Sequence, residues 1–249
     1  MYGLPLELQS SVYLQFENCL AGSRFQTSIY HKAFRKDREK IMKCNVVCIQ
    51  TYPKKNQKEK NLSHMETLLR KAMESHPDTQ LIVFPELAVT GYQCGENFKD
   101  LAETATIDST SIKKMSALAK EFHVHIVYGM AEKEEDILYN SQFFLDDTGV
   151  LLGTYRKVHL FDSEKNYFTP GDQFKVFDTK IDRIGLFICY DTFFPEAARS
   201  LDPLGRILAS INDEKDGIIH ASLDYDIAKQ MKHDYYTMLT ERHPDIYIA

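Results

Sequence analysis

Two short runs of unbroken apolar residues limit what this chain can fold into. Leu81-Ile82-Val83-Phe84 is closed by Pro85, and Ile184-Gly185-Leu186-Phe187-Ile188 is closed by Cys189. A strand with one face in water alternates apolar and polar residues, so an unbroken run belongs to a strand covered on both faces. Such strands exist only inside layered architectures, and the intervening segments must supply the covering helices or a second sheet.

The intervening segments fit that demand. A strand is expected over 43–50, followed by a helix over 63–76 that Ser63 and Glu66 open as a capping box. A second helix, over 109–122, follows an Asp108-Ser109 cap, and His123 to Gly129 returns as a strand. Ser141 to Leu145 and Val150 to Tyr155 flank Asp146-Asp147-Thr148-Gly149, a composition suited to a tight hairpin turn. Past residue 180 the theme restarts, with the strand at 184–188, a helix from Pro195 to Leu201 and another from Tyr225 to Met238. Asp202-Pro203-Leu204-Gly205 and the apolar segment behind it mirror the earlier hairpin turn, so an internal near-repeat is expected. The second copy is short by roughly two or three strands and a helix, judged from ordinary element lengths. Strands, helices and antiparallel hairpins together indicate an α/β architecture with stacked sheets and helices outside.

At 249 residues and 43% hydrophobic, the chain can bury one large core or two small ones without metals or disulfides. Its net charge of −6 is spread along the sequence, which sets nucleic-acid partners aside. The nearest basic run, Lys54, Lys55, Lys58 and Lys60, is interrupted by Glu59 and reads as a solvated loop. No stretch has the eighteen or so apolar residues of a membrane span. Five cysteines, at 19, 44, 48, 94 and 189, are odd in number and irregular in spacing, which fits a reducing, cytoplasmic setting better than a disulfide framework. Cys44 and Cys48 lack a second pair at zinc-binding spacing, so they read as strand residues. Residues 1–41 match no targeting signal, and Met42 stands just before the first convincing strand; they are expected to form an extension outside a domain spanning 42–249.

Three residues stand where strands end. Cys189 follows a buried strand and precedes a helix opening near Phe194-Pro195, where a helix N-terminus and a cation would lower a thiol pKa. Glu86 follows Phe84-Pro85, and Lys157 ends Tyr155-Arg156-Lys157. Taken singly, each has a bland reading: a buried strand cysteine, a loop-capping carboxylate, a solvated edge lysine.

Together they say more. Phe84-Pro85-Glu86 with Gly91-Tyr92, then Tyr155-Arg156-Lys157 with His159-Leu160, then Ile188-Cys189-Tyr190-Asp191 with Phe194-Pro195-Glu196 and Ala198-Arg199 resemble the nitrilase and amidase, or carbon–nitrogen hydrolase, superfamily. Tyr167-Phe168-Thr169-Pro170-Gly171-Asp172 is a further family-like signature, and the likeness covers 43–201. The resemblance implies a four-layer α-β-β-α sandwich. It makes Cys189 the nucleophile, Glu86 the general base and later acid, Lys157 the cation facing the tetrahedral intermediate, and Glu164 a supporting carboxylate. It implies a small amide, nitrile or carbamoyl substrate, no metal or organic cofactor, and homo-oligomers in which 193–201 resembles part of the interface.

The sequence also departs from the family. After Ser200-Leu201 a family member continues through a strand, a helix and further strands before the counterpart of Asp202-Pro203-Leu204-Gly205, whereas here those elements are absent. The likeness resumes at Gly217 to Asp224 and at Arg242 to Tyr247. The second half is therefore expected to be incomplete near 201–202, with sheet edges left unpaired. Two readings stay open: an active thiol hydrolase, or a catalytically inactive shortened isoform acting as a binding or regulatory partner.

Overall fold

A computed structural model describes the backbone of residues 12–17, residues 43–194 and residues 216–224. The expected helices at 195–201 and 225–238, the mirrored turn at 202–205 and the closing motif at 242–247 lie outside these residues.

In chain order the elements are β1 (Val12–Glu17), β2 (Lys43–Gln50), α1 (Lys58–Ser75), β3 (Leu81–Val83), α2 (Phe98–Leu101), α3 (Thr110–Phe122), β4 (His125–Glu134), β5 (Ile137–Leu145), β6 (Leu151–Arg156), β7 (Val176–Asp178), β8 (Arg183–Ile188) and β9 (Gly217–Asp224). Six strands form one sheet in the order β6-β5-β4-β3-β2-β9, and three form a second in the order β1-β8-β7. β2, β3 and β4 run parallel, which requires crossovers; α1 supplies the first, and α2 with α3 the second. β4, β5 and β6 are joined as antiparallel hairpins.

Strand periodicity explains how the layers stack. Val47, Ile49, Ile82, Phe84, Ile126, Tyr128 and Phe143 point to one side of the large sheet and pack on Leu62, Met65, Leu69, Ile112, Met115 and Ala119 of α1 and α3. Cys44, Val46, Leu81, Val83, Val127 and Phe144 point to the other side and meet Phe177, Ile184, Leu186 and Ile188 of the small sheet. The two strands with unbroken apolar runs, β3 and β8, are buried along nearly their whole length, as strands covered on both faces are. The chain is an α/β sandwich in which helix, sheet and sheet are seen as successive layers; the helices expected on the far side fall outside the described residues.

β2 occupies the span expected of it, and Cys44 and Cys48 are strand residues facing the small sheet. α1 begins at Lys58, five residues ahead of the expected start, and Ser63 lies within the helix rather than at its cap. Asn61 is the reason. Its side chain donates to Lys54 O at 2.8 Å and Val89 O at 3.0 Å and accepts from Lys54 N–H at 2.8 Å, so the first turn is tied to the preceding loop without a capping box. α3 starts after Ser109 as expected, but the Ser109 hydroxyl turns back to Thr104 O. The buried carboxylate of Glu103 accepts from Ser111 N–H at 2.9 Å instead and supplies the cap from outside. His123, expected in a strand, takes a left-handed conformation that ends α3. β4 then runs on to Glu134 and folds back through Glu135-Asp136, a hairpin the sequence reading lacked. The turn at Asp146 to Gly149 forms as expected, with Asp146 Oδ1 accepting from Thr148 and Val150 N–H at 2.9 Å.

β8 is paired along both edges. β7 lies on one side, and on the other β1 runs antiparallel from Val12 opposite Ile188 to Glu17 opposite Arg183. Six residues of the segment expected to stand outside the domain therefore form a strand beside the one that leads to Cys189.

Candidate active site

Glu86, Lys157 and Cys189 come from three separate strands and meet at one end of the sandwich. β3 ends at Val83, and the chain turns sharply through Pro85, Glu86 and Leu87, the last in a left-handed conformation. This turn lies directly on Gly129 of β4: a Cβ there would sit 2.4 Å from Leu87 N and 2.5 Å from Pro85 O. Only glycine permits that approach, and the approach presses the Glu86 side chain into the interior, where it is 2% exposed.

β6 ends at Arg156, so Lys157 leaves the sheet at its tip. Its backbone is held on both sides, with Lys157 N–H donating to Asn140 O and Gly171 N–H donating to Lys157 O. Its ammonium is fully buried, against the solvated edge position that Lys157 alone would suggest. Such a cation must be paired. Lys157 Nζ donates to Glu86 Oε1 at 2.6 Å and to Glu164, at 3.0 Å for Oε1 and 2.9 Å for Oε2. Glu164 sits in a 3-10 turn over Asp162–Asn166, is 4% exposed, and accepts from Phe161 N–H at 2.8 Å. Burial lowers the lysine pKa, but the carboxylates of Glu86 and Glu164 outweigh it and hold the ammonium above its ordinary value.

Cys189 follows β8 directly and opens a 3-10 turn over Cys189–Phe193. It adopts a left-handed φ of 44°, an uncommon conformation for a residue with a side chain. The charges of Glu86, Lys157 and Glu164 all act on its thiol. Within the Glu86 carboxylate, Oε1 takes both the Lys157 and the Asn140 bonds, while the buried Oε2 has no partner at ordinary hydrogen-bonding distance.

One sequence expectation is reversed here. The thiol pKa is not lowered: burial pushes it up to about 12, the Glu86 charge adds to that, and Lys157 opposes without overcoming them. Burial also pushes Glu86 up to about 7, with Lys157 pulling down and Glu164 pushing up. The resting pair is a neutral thiol beside a carboxylate poised to accept its proton near neutrality.

Two further residues belong to this cluster and were missed from sequence. Asn140 on β5 donates to Glu86 Oε1 at 2.6 Å and to Glu164 Oε1 at 3.1 Å, bridging both carboxylates from below. The half-buried Tyr92 phenol feels the same cluster: burial, followed by the charges of Glu164, Glu86 and Cys189, raises its pKa. Asn140 gives no signal because no motif surrounds it in a strand buried nearly end to end, whereas Tyr92 stands beside Gly91 in a motif that assigns it no role. Among the described residues no group of three or more His, Cys, Asp or Glu could hold a metal ion, and no helix is long and apolar enough to cross a membrane.

Comparisons with known proteins bear on the family and the fold. The sequence model of the Carbon-nitrogen hydrolase family matches residues 45–202. A probable nitrilase of Schizosaccharomyces pombe is 34% identical over 267 residues, taking in 83% of this chain and 98% of the relative. That alignment is longer than the chain itself, so part of the relative faces no residue here. A nitrilase of Pyrococcus abyssi is 41% identical over 63% of this chain, which spans only 59% of that relative's length. In structure, the chain resembles a Saccharomyces cerevisiae member of the nitrilase superfamily with a TM-score of 0.71 at 25% identity, over 79% of this chain and 96% of that one. Family match, full-length relative and shared fold converge on one assignment: the chain belongs to the carbon-nitrogen hydrolase family.

Proposed function

We propose that this protein is a thiol hydrolase that cleaves a non-peptide carbon–nitrogen bond of a small amide, nitrile or carbamoyl compound through a thioester on Cys189. The observation that carries the reading is the buried ammonium of Lys157, held between Glu86 and Glu164 at the strand tips where the Cys189 thiol also lies. A cation buried at that cost has a use where negative charge develops, and an attacked amide oxygen is such a place.

For an amide the proposed steps are these. Glu86, through its unpaired Oε2, takes the thiol proton as sulfur bonds to the carbonyl carbon, and Lys157 faces the resulting oxyanion. The carbon–nitrogen bond then breaks, and Glu86 returns the proton to the departing ammonia or amine. Water next adds to the thioester, giving its proton to Glu86; the carbon–sulfur bond breaks and the thiolate recovers that proton as the acid leaves. Glu164 and Asn140 hold Glu86 and Lys157 in register. Relatives named as an (R)-stereoselective amidase, an omega-amidase and N-carbamoylputrescine amidases support an amide or carbamoyl substrate.

A second reading has its own support. The family match ends at residue 202, and part of the fission-yeast relative faces no residue here; on this reading a wall of the site is missing and the chain acts as an inert partner. A panel of small amides, nitriles and carbamoyl compounds with ammonia detection, run beside size-exclusion chromatography, separates the two. Ammonia release from any member supports the hydrolase. No release from a stably folded chain supports the inert partner.

A further inference from the structure

Asp191 was quoted only as part of a motif, and the reaction above does not use it. The side chain is fully buried and has four hydrogen-bond partners. Oδ2 accepts from the Tyr155 hydroxyl at 2.7 Å and from Ile188 N–H at 2.9 Å. Oδ1 accepts from the backbone N–H of His159 at 2.9 Å and lies 2.9 Å from Nδ1 of that residue's ring. Tyr155 and His159 stand two residues before and two residues after Lys157, and Ile188 immediately precedes Cys189. One carboxylate thus grips the chain on both sides of the lysine and at the entry to the cysteine.

Other contacts tighten the same joint. The His159 ring stacks on Phe194 with centroids 3.6 Å apart, and the Thr192 hydroxyl donates to Cys189 O at 2.7 Å. The left-handed backbone of Cys189 needs such support, because a conformation of that type persists only where its surroundings over-determine it.

We propose that Asp191 is a positioning residue that fixes the spacing between Lys157 and Cys189 and so aligns nucleophile and cation for attack. The inference rests on the thiol-hydrolase reading, and its test is built so that the two can fail separately. Asp191→Asn keeps the shape of the side chain but puts donors where only acceptors fit; Tyr155→Phe removes one of the four bonds without changing charge. Glu103→Gln, at the distant cap of α3, serves as a control for destabilisation alone.

With kcat expressed per Cys189 thiol titrated by iodoacetamide, Asp191→Asn loses about 10²-fold, as misalignment of reacting groups by an ångström or so does. KM stays within a few-fold, and Tyr155→Phe shows a smaller loss of the same kind. Glu103→Gln lowers the melting temperature and leaves kcat per titrated site unchanged. The rate of iodoacetamide alkylation at Cys189 needs no turnover, and it changes several-fold in Asp191→Asn but not in the control. If wild type turns over nothing while alkylation still responds to Asp191→Asn, the hydrolase reading falls and the positioning role stands. Unchanged kcat per site, or in the absence of turnover unchanged alkylation, in both Asp191→Asn and Tyr155→Phe overturns the positioning role.

Discussion

Glu86 is a carboxylate kept neutral more easily than its type would suggest, and that sets the pH behaviour of the site. In the proposed reaction it accepts the thiol proton only when ionised, and burial lifts its pKa to about 7. Activity therefore rises with pH through about 7, and a kcat/KM profile already flat from pH 5 would remove Glu86 from the role of base. The same shift acts on stability with the opposite sense. A carboxyl whose folded pKa stands above its unfolded value binds more protons when folded, so its contribution falls as pH rises from about 4.5 towards 7. Lys157 shows the converse dependence, on partners rather than on pH. Lys157→Met leaves two buried carboxylates without their cation, which costs about 3–5 kcal/mol of stability. Under the proposed reaction it also removes the charge facing the oxyanion, for a loss of about 10²–10³ in kcat; denaturant titration and steady-state rates measure the two. At this scale the sequence foretells which residues come together where each closes a strand inside a recognisable motif, as Glu86, Lys157 and Cys189 do. It was not readable for Asn140, whose importance comes from being brought under Glu86 and Glu164 by a hairpin, nor for the thiol pKa, which depends on burial that no motif records.

Among the elements, the unbroken apolar runs were the dependable signal, and both became strands buried along nearly their whole length. Helix starts were less so, because the local patterns at Ser63 and Ser109 competed with distant groups, Asn61 gripping Val89 in one case and Glu103 reaching Ser111 in the other. The hairpin through Glu135-Asp136 was hidden for a different reason. Its strands are buried nearly end to end, so they lack the alternation that marks a half-exposed pair. The pairing of β1 with β8 joins segments too far apart in sequence for any local pattern to foretell. The turn carrying Glu86 depends on one contact between elements. Gly129→Ala places a methyl within 2.4 Å of Leu87 N, so either the Glu86 turn or β4 must shift. Overpacking of this type costs about 1–3 kcal/mol, and here kcat falls with it because Glu86 is displaced from Lys157. A Gly129→Ala protein with wild-type melting temperature and rate would show that the turn tolerates movement.

For the whole molecule, the core between sheet and helices is not the only interior that responds to conditions. His125 at the start of β4 is 2% exposed, and neither ring nitrogen has a partner at hydrogen-bonding distance. Burial lowers its pKa below the ordinary 6.5, although Asp147 and the Gln80 backbone pull the other way. The unfolded chain therefore binds a proton that the fold refuses, and stability is lost as pH falls below about 6.5. His125→Leu removes that penalty, so its stability advantage over wild type is larger at pH 5 than at pH 8 in parallel urea titrations. An equal difference at both pH values would show that His125 is accommodated when charged. The central claim concerns Cys189, and it is tested most directly by intact-protein mass spectrometry of enzyme acid-quenched during turnover of an amide that releases ammonia. Wild type is expected to carry an added acyl mass, removed by neutral hydroxylamine as a thioester is, with neither adduct nor ammonia from Cys189→Ala. Ammonia release by Cys189→Ala at the wild-type rate would contradict it.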